Sequence, residues 1–424
     1  MHSVLLQITY TVFAVFLVGY LLTARRKIDV FLVGGVSAVL FSLPLFFGSV
    51  SGPPGFPVRI IEPVVYVSFI YLLGTILVGA VLYDYSKVLN SASSNTLRKS
   101  SQENWIGCLL VMAWILIFFW LLQKYGAGLL VGESKRKIMD MVSWQFTVFM
   151  YISTLMAVWI FFFQGLIGKS FAVGVLIICL LIGQRTPLAL SGIAILLLYG
   201  RKWQPVSLAF RYPLLTPLII ISGIGFVALI KPVYAHFKAG GITQVINLFS
   251  TSSISDLVAR GSEFMRTQYI FNEIVLQDFS TNGGHIIRGP LSLLPFPREL
   301  YTTPSTEFNN LFQSELFPNH PSGMAYNSLA EFYAAAGSLG ILVVVMAFVF
   351  SLMVLAIMMN RVRLTFMPVV AICSALIAFY SYRNSIAVTA GFIRFIVWPF
   401  LIIWLGTQLL MVLGRPISRG IEQS

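Results

Sequence analysis

Basic side chains are the residues of this sequence with the clearest chemical potential, because several stand where nothing in the apolar chain requires them. Lys135-Arg136-Lys137 form a triple, and Arg185 lies in Gln184-Arg185-Thr186-Pro187 between two short apolar runs. Guanidinium groups bind phosphates through paired N–H donors, so we expect these residues to collect a multiply charged anion. The alternative is a solvated face with a few surface ion pairs. Further basic residues are expected on the same side of the protein as this triple and Arg185, namely Arg260, Arg266, Arg288, Arg298 and Arg383.

Three residues could exchange protons. Glu331 lies in a run of small and apolar residues, where a carboxyl group holds a proton more readily than in water. The alternative is an exposed glutamate at the water interface. His320 stands in Pro318-Asn319-His320-Pro321, where a simple turn residue is at least as good an interpretation. His285, which follows Gly283-Gly284, is the weaker histidine candidate.

The composition is typical of a protein that lies in a lipid bilayer. Of its 424 residues, 58% are hydrophobic and only 10% are charged, and the mean hydropathy is +0.87. A soluble domain carries about 25% charged residues. We therefore predict an all-α fold, a polytopic transmembrane helix bundle. The net charge of +13 is spread over loops, which argues against nucleic acid and for an anionic lipid surface or substrate.

The apolar runs predict about 11 spans, since a spanning helix needs about 20 apolar residues. The runs are 4–23, 28–49, 64–83, 105–123, 142–167, 170–183, 187–200, 212–235, 338–359, 364–382 and 390–413. The chain thus divides into an N-terminal bundle (1–235, about eight spans), a long loop (236–337) and C-terminal helices (338–424, about three spans). Alternate connections that include Arg26 and Lys87 hold more Lys and Arg, which places them and the C-terminus in the cytoplasm. The N-terminus and the long loop then lie outside.

The long loop is too long to be a bare connector. Its segment 254–279 has the pattern of an amphipathic helix that lies on the membrane or caps the bundle. A proline-rich stretch between Pro290 and Pro304 predicts an irregular path. Residues 325–337 predict a helix that leads into the span 338–359.

Together these features resemble the O-antigen polymerase (Wzy-type) family of lipid-linked repeat-unit polymerases. The resemblance is carried by Pro297-Arg298 with Pro304, and by Tyr326, Glu331, Tyr333 and Gly337. The basic triple and the apex at Arg185 are similar to basic stretches that the family often carries. The chain departs from the family where Thr303-Pro304 replaces a frequent Lys-Pro.

The resemblance implies that the chain transfers a growing glycan from undecaprenyl pyrophosphate to the next lipid-linked repeat unit. The leaving pyrophosphate gains charge in the transition state, which arginines can stabilise. Arg298, Arg185, Arg383 and the basic triple are the expected pyrophosphate ligands. Glu331 is the first candidate for the general base and His320 the second. The expected secondary contacts are Arg260, Arg266, Arg288, Tyr326 and Tyr333.

The implied setting is the periplasmic face of a bacterial inner membrane, with membrane lipids and a chain-length regulator (polysaccharide co-polymerase) as further partners. No cofactor is expected, and no acidic cluster suggests a metal. Two alternatives stay open. One is an O-antigen ligase, which delivers the same donor to lipid A core and usually relies on a loop histidine. The other is a lipid-linked oligosaccharide flippase, against which the long loop argues.

Overall fold

The computed structural model describes residues 2–23, 26–52, 56–89, 101–126, 135–205, 207, 211, 233, 241–250, 263–295, 307–318 and 326–413. In chain order the elements are α1 (His2–Leu21), α2 (Val30–Phe41), α3 (Pro44–Phe47), β1 (Ser49–Ser51), β2 (Val58–Ile60), α4 (Pro63–Leu89), α5 (Ser101–Tyr125), α6 (Lys135–Phe163), α7 (Leu166–Leu181), α8 (Thr186–Gly200), α9 (Glu263–Leu276), α10 (Gly284–Leu291), α11 (Phe308–Leu316), α12 (Ser328–Arg361), a 3-10 turn (Leu364–Phe366), α13 (Met367–Ala375), a π-helical turn (Leu376–Tyr380) and α14 (Ile386–Leu413). Residues 241–250 are also helical. The described chain is therefore nearly all helical, as predicted, with one small hairpin.

Six of the described helices are long and apolar enough to cross a membrane: α1, α4, α5, α6, α12 and α14. Four more apolar stretches are shorter, namely α2, α7, α8 and the segment Leu364–Tyr380. Long apolar helices of this kind make the chain a multi-pass membrane protein. The predicted span 212–235 lies outside the described residues apart from 233, and the total of about 11 spans stays a prediction.

The helix observed in the predicted span 28–49 is shorter than the apolar run. This helix, α2, ends at Phe41, and the next residue, Ser42, donates from Oγ to the Ala38 carbonyl (2.6 Å) and meets the Tyr10 hydroxyl (2.7 Å). Pro44 then begins the short α3. The chain continues into β1, which pairs antiparallel with β2 so that Val50 lies opposite Arg59. Hydropathy alone could not show where the helix ends, because Leu43, Leu45, Phe46 and Phe47 after it are as apolar as the helix.

The described chain packs as two compact units, each built from separated stretches of sequence. The first comprises Met1–Ser93, Leu196–Val362 and Cys373–Phe392. The second comprises Ser94–Ile195, Arg363–Ile372 and Ile393–Ser424. The three consecutive segments predicted from the sequence stay a prediction.

In the first unit, α1, α2, α4 and α12 pack against one another. The Tyr83 hydroxyl of α4 donates to the Ala356 carbonyl of α12 (3.1 Å), so the C-terminal ends of these two helices lie together. At the other end, Gln7 of α1 donates to the Phe46 carbonyl (2.6 Å) beside the hairpin. The helices α9, α10 and α11 of the long loop belong to this unit, and α9 packs against the hairpin. The N-terminus of α1 thus lies at the same end as this loop helix.

Buried charges hold the opposite end of the first unit. The Arg26 guanidinium is 3.0 Å from the Asp29 carboxylate and 2.5 Å from that of Asp84, and Tyr20 donates to Asp84 (2.9 Å). Lys87 Nζ lies 3.7 Å from Asp29. Two cations therefore face two carboxylates and balance them. Arg26 and Lys87, which the sequence suggests as topology signals, also join α1, α2 and α4.

We expect Asp29→Asn to lower the free energy of unfolding by about 3 kcal/mol, because a buried arginine loses one of its two carboxylates. Asp29 is also the N-cap of α2 and accepts from the Leu32 N–H (2.9 Å). Asparagine keeps that cap, whereas Asp29→Ala removes it and should lose about 1 kcal/mol more. Titration of the purified protein with SDS in mixed micelles measures both changes. Wild-type stability of Asp29→Asn would show that the charge network contributes nothing.

The helix α12 is broken near its start. Ala336 and Gly337 leave helical geometry, and Gly337 adopts φ 57° and ψ −139°, which is open to glycine alone. The segment 328–335 is thus separated from the apolar remainder of α12, in agreement with the predicted helix 325–337 ahead of a span. Thr281 donates its N–H to the Ala334 carbonyl (2.7 Å), close to the break. The break therefore redirects the chain where the loop meets the membrane-spanning part.

Candidate functional site

The loop helix α9 caps the first unit through buried polar side chains. Gln268 donates to the Phe41 carbonyl at the end of α2 (2.9 Å), and Asn272 bonds both the Glu62 N–H (2.7 Å) and the Ile60 carbonyl (3.1 Å). Glu273 pairs with Arg59 of β2 (2.7 Å). Of the two placements predicted for segment 254–279, the described part 263–276 caps the bundle. Its polar face satisfies backbone groups that helix and strand ends leave open.

Glu331 lies at a junction of three elements. Its side chain is buried, with the residue 2% exposed, and its Oε2 accepts from the Ile386 N–H at the start of α14 (3.2 Å). The exposed-glutamate alternative is therefore wrong. Ser385 accepts from the Val388 N–H (3.0 Å), so Ser385 and Glu331 together cap the first turn of α14. The carboxyl thus has a structural task in addition to any chemical one.

His285 of α10 lies beside Glu331. It is 5% exposed, its ring stacks on Phe308 at 5.0 Å, and it faces the Glu331 main-chain carbonyl. Burial lowers the pKa of His285 below its usual value of 6.5, the Glu331 carbonyl opposes that shift, and the nearby Arg288 charge adds to it. The imidazole is therefore neutral at neutral pH and able to accept a proton. This histidine, the weaker candidate from sequence, is the one that the described structure brings to the main chain of Glu331.

Close packing fixes α10 against α14. A Cβ on Gly289 would lie 2.6 Å from Ile386 Cγ2, so only glycine fits at this contact. Ser328 of α12 donates to the Ser381 and Asn384 carbonyls (3.3 and 3.0 Å), which holds the turn that precedes α14. Arg383 lies in that turn, and Arg288 directly precedes Gly289. Two of the predicted anion-binding arginines thus belong to segments that meet at Glu331.

Several buried polar groups at this junction have no hydrogen-bond partner within the described part of the chain. They are Nη1 of Arg288, Nδ2 of Asn327 and Oγ1 of Thr389. Asn327 caps α12 just before Glu331, accepting from the Ala330 N–H (2.8 Å), and Thr389 lies one turn after Ile386. Such groups are rare in folded proteins. They supply donors and acceptors suited to a polar, anionic ligand. We call Glu331, His285, Arg288, Arg383, Asn327 and Thr389 the α14 junction.

The predicted tyrosines pack against aromatic residues of the loop helices. Tyr326 packs edge-on against Phe308 (5.0 Å) and Phe312 (5.4 Å), in an aromatic cluster beneath α11. Tyr333 meets Phe271 of α9 at 6.1 Å. Both contacts indicate packing roles: they fix the loop helices against the start of α12.

The remaining predicted residues divide by where they lie. Arg266 is a half-buried residue of α9. Arg185 belongs to the second unit, in the turn between α7 and α8, so the predicted pair of short helices with a polar apex is present. The basic triple begins α6 in that same unit. Arg298, His320 and Arg260 lie outside the described residues, and their roles stay predictions.

Sequence reasoning missed the burial of His285 and Gly289 on the inner face of α10, because neither residue is part of an apolar pattern. Backbone donors such as the Ile386 N–H carry no sequence signal at all. Among the described residues no three His, Cys, Asp or Glu side chains could hold a metal ion.

No protein-family model matches this sequence, and neither a curated protein nor a solved structure is similar to it. Any functional proposal therefore depends on the residues and geometry described above.

Proposed function

We propose that this protein polymerises a bacterial surface polysaccharide, transferring a growing glycan from undecaprenyl pyrophosphate to the next lipid-linked repeat unit. The observation that carries the proposal is the α14 junction. It combines a buried carboxyl, a neutral imidazole and two arginines where a loop helix meets the start of two membrane-spanning helices. A lipid-linked sugar pyrophosphate presents its reacting atoms at such a level, because its prenyl chain stays in the bilayer.

The chemistry requires a base and a cationic pocket. A hydroxyl oxygen of the acceptor sugar attacks the anomeric carbon of the donor, whose bond to the pyrophosphate oxygen breaks as the new bond forms. The hydroxyl proton passes to a base, and the lipid pyrophosphate leaves with the bonding electrons. Glu331 is the proposed base, and His285 is a second proton acceptor beside it. Arg288 and Arg383 stabilise the leaving pyrophosphate.

Burial of Glu331 has a consequence for this mechanism. Its hydrogen bond to the Ile386 N–H fixes the orientation of the carboxyl group at the start of α14. The acceptor hydroxyl reaches it only if the junction opens when the substrate binds. Opening and closing motions of this kind control substrate access in many enzymes.

We further propose that the loop faces the periplasm, that the protein lies in the inner membrane, and that the C-terminus is cytoplasmic. The proposed partners are the lipid-linked oligosaccharides, membrane lipids and a chain-length regulator. Lys135-Arg136-Lys137, Arg185 and Arg298 remain proposed pyrophosphate ligands from the sequence. The placement of the N-terminus of α1 and of α9 at one end supports a common side for both.

An O-antigen ligase is the second candidate, and His285 favours it, because ligases of related type rely on a loop histidine. Deletion of the gene separates the candidates. We expect cells that retain single-repeat surface glycan but lose all long chains. Loss of all glycan from lipid A core would instead identify a ligase, and lipid-linked units trapped on the cytoplasmic side would identify a flippase. Purified protein that extends lipid-linked repeat units into a ladder would then establish polymerase activity directly.

A further inference from the structure

The helix α10 has two opposite faces of different character. Its buried residues His285, Gly289 and Ser292 face the protein. A second set, shifted by two positions and spaced at i, i+4 and i+7, lies on the opposite face and is apolar. It consists of Ile287 and Leu291 of α10 and Leu294 of the turn that follows the helix, and we call it the α10 stripe. Ile287 is 70% exposed, and Leu291 and Leu294 are also exposed.

This exposed apolar face lies at the level where two membrane-spanning helices begin. Gly289 contacts Ile386, the first residue of α14, and a Cβ on Gly283, the N-cap of α10, would lie 3.7 Å from the Cβ of Ala335 in α12. The outward apolar surface of α12 starts four residues later, at Leu339, which is 66% exposed. The α10 stripe therefore lies close to the starts of two membrane-spanning helices.

We propose that α10 is an interfacial helix whose stripe enters the lipid monolayer, so that membrane lipid covers Ile287, Leu291 and Leu294. Amphipathic helices of this type insert their apolar face at the boundary between headgroups and acyl chains. The inference concerns membrane contact alone and does not depend on the proposed reaction.

The proposal gives the α14 junction a fixed depth. The inner face of α10 holds His285 against Glu331, while the outer face rests in lipid. Membrane contact thus stabilises α10 on the side that is exposed among the described residues. A polar ligand at the junction would then lie level with the lipid headgroups.

Spin labels test this placement in the full-length protein. Cys108, Cys179 and Cys373 are all free, so they are first replaced by alanine. A nitroxide is attached to Ile287→Cys, and Asn282→Cys, an exposed residue ahead of α10, serves as the matched water-side control. The protein is reconstituted in vesicles of phosphatidylethanolamine and phosphatidylglycerol. Collision rates with oxygen and with a water-soluble nickel chelate are then measured.

We expect the Ile287 label to collide with oxygen and to lose contact with the nickel chelate, at a depth of about 5–10 Å below the headgroups. The Asn282 label should show the reverse. Nickel contact at Ile287 equal to that at Asn282 would overturn the proposal, because the stripe would face water. Poor contact with both reagents would also overturn it, since protein would then cover the stripe. Leu294→Cys provides an independent reading if the Ile287 variant does not fold.

Discussion

Glu331→Gln is expected to reduce polymerisation by a factor of about 10² to 10⁴, the usual contribution of a positioned general base, while the protein keeps its abundance and thermal stability. Glutamine retains an oxygen that can accept from the Ile386 N–H, so the cap of α14 survives. It cannot take up the proton of an acceptor hydroxyl. The variant therefore separates the chemical role of this side chain from its structural role. Chain length on gels and the rate of lipid-linked unit consumption measure the effect.

Two further variants complete this test. Glu331→Ala loses the cap as well and should unfold more easily by about 0.5–2 kcal/mol. Glu315→Gln makes the same chemical change at an exposed position of α11 and should leave both chain length and stability unchanged. Wild-type chain lengths from Glu331→Gln would assign this carboxyl to helix capping alone. His285 would then be the remaining proton acceptor of the junction.

The sequence predicts those elements whose signals are local. Apolar runs of sufficient length give α1, α4, α5 and α14 with small errors at their ends, because burial in lipid needs little more than hydropathy. The turn at Arg185 follows from polar and proline residues between two short runs. The helix near 325–337 begins at Ser328, because Asn327 caps it. In each case a few neighbouring residues contain the information.

Contacts between distant parts of the chain are what the sequence could not reveal. Glu331 and Ile386 are 55 residues apart, and Asn272 and Glu62 are 210 apart. The polar side chains of α9 suggest a membrane surface and bundle capping equally well, and only the hairpin shows which is correct. The same limitation made His285 the weaker histidine candidate. Its burial depends on Phe308 and on the start of α12, which lie far along the chain.

The break in α12 sets the position of Glu331 relative to the membrane, and the second large effect is expected there. A Cβ on Gly340 would overlap the main-chain carbonyl oxygen of Phe332, because the chain after Gly337 passes close to the segment 328–335. This carbonyl oxygen belongs to the backbone, so it cannot move away by a change of rotamer as the end of a flexible side chain can. Gly340→Ala must therefore shift one part of α12 against the other and pull Glu331 away from Ile386.

We expect Gly340→Ala to destabilise the protein by about 3 kcal/mol or more, at the upper end of the effects of overpacking. Gly337→Ala should lose about 1–3 kcal/mol from backbone strain alone, because a Cβ there meets no atom within 4 Å. Gly391→Ala is the matched control in α14, where a Cβ also has open space and the backbone is helical. It should be neutral or slightly stabilising, since alanine favours helix.

Thermal unfolding in detergent ranks the three variants. Equal midpoints for Gly340→Ala and Gly391→Ala would mean that the two parts of α12 are not packed closely at Phe332, and the structural basis for placing Glu331 at the α14 junction would be lost.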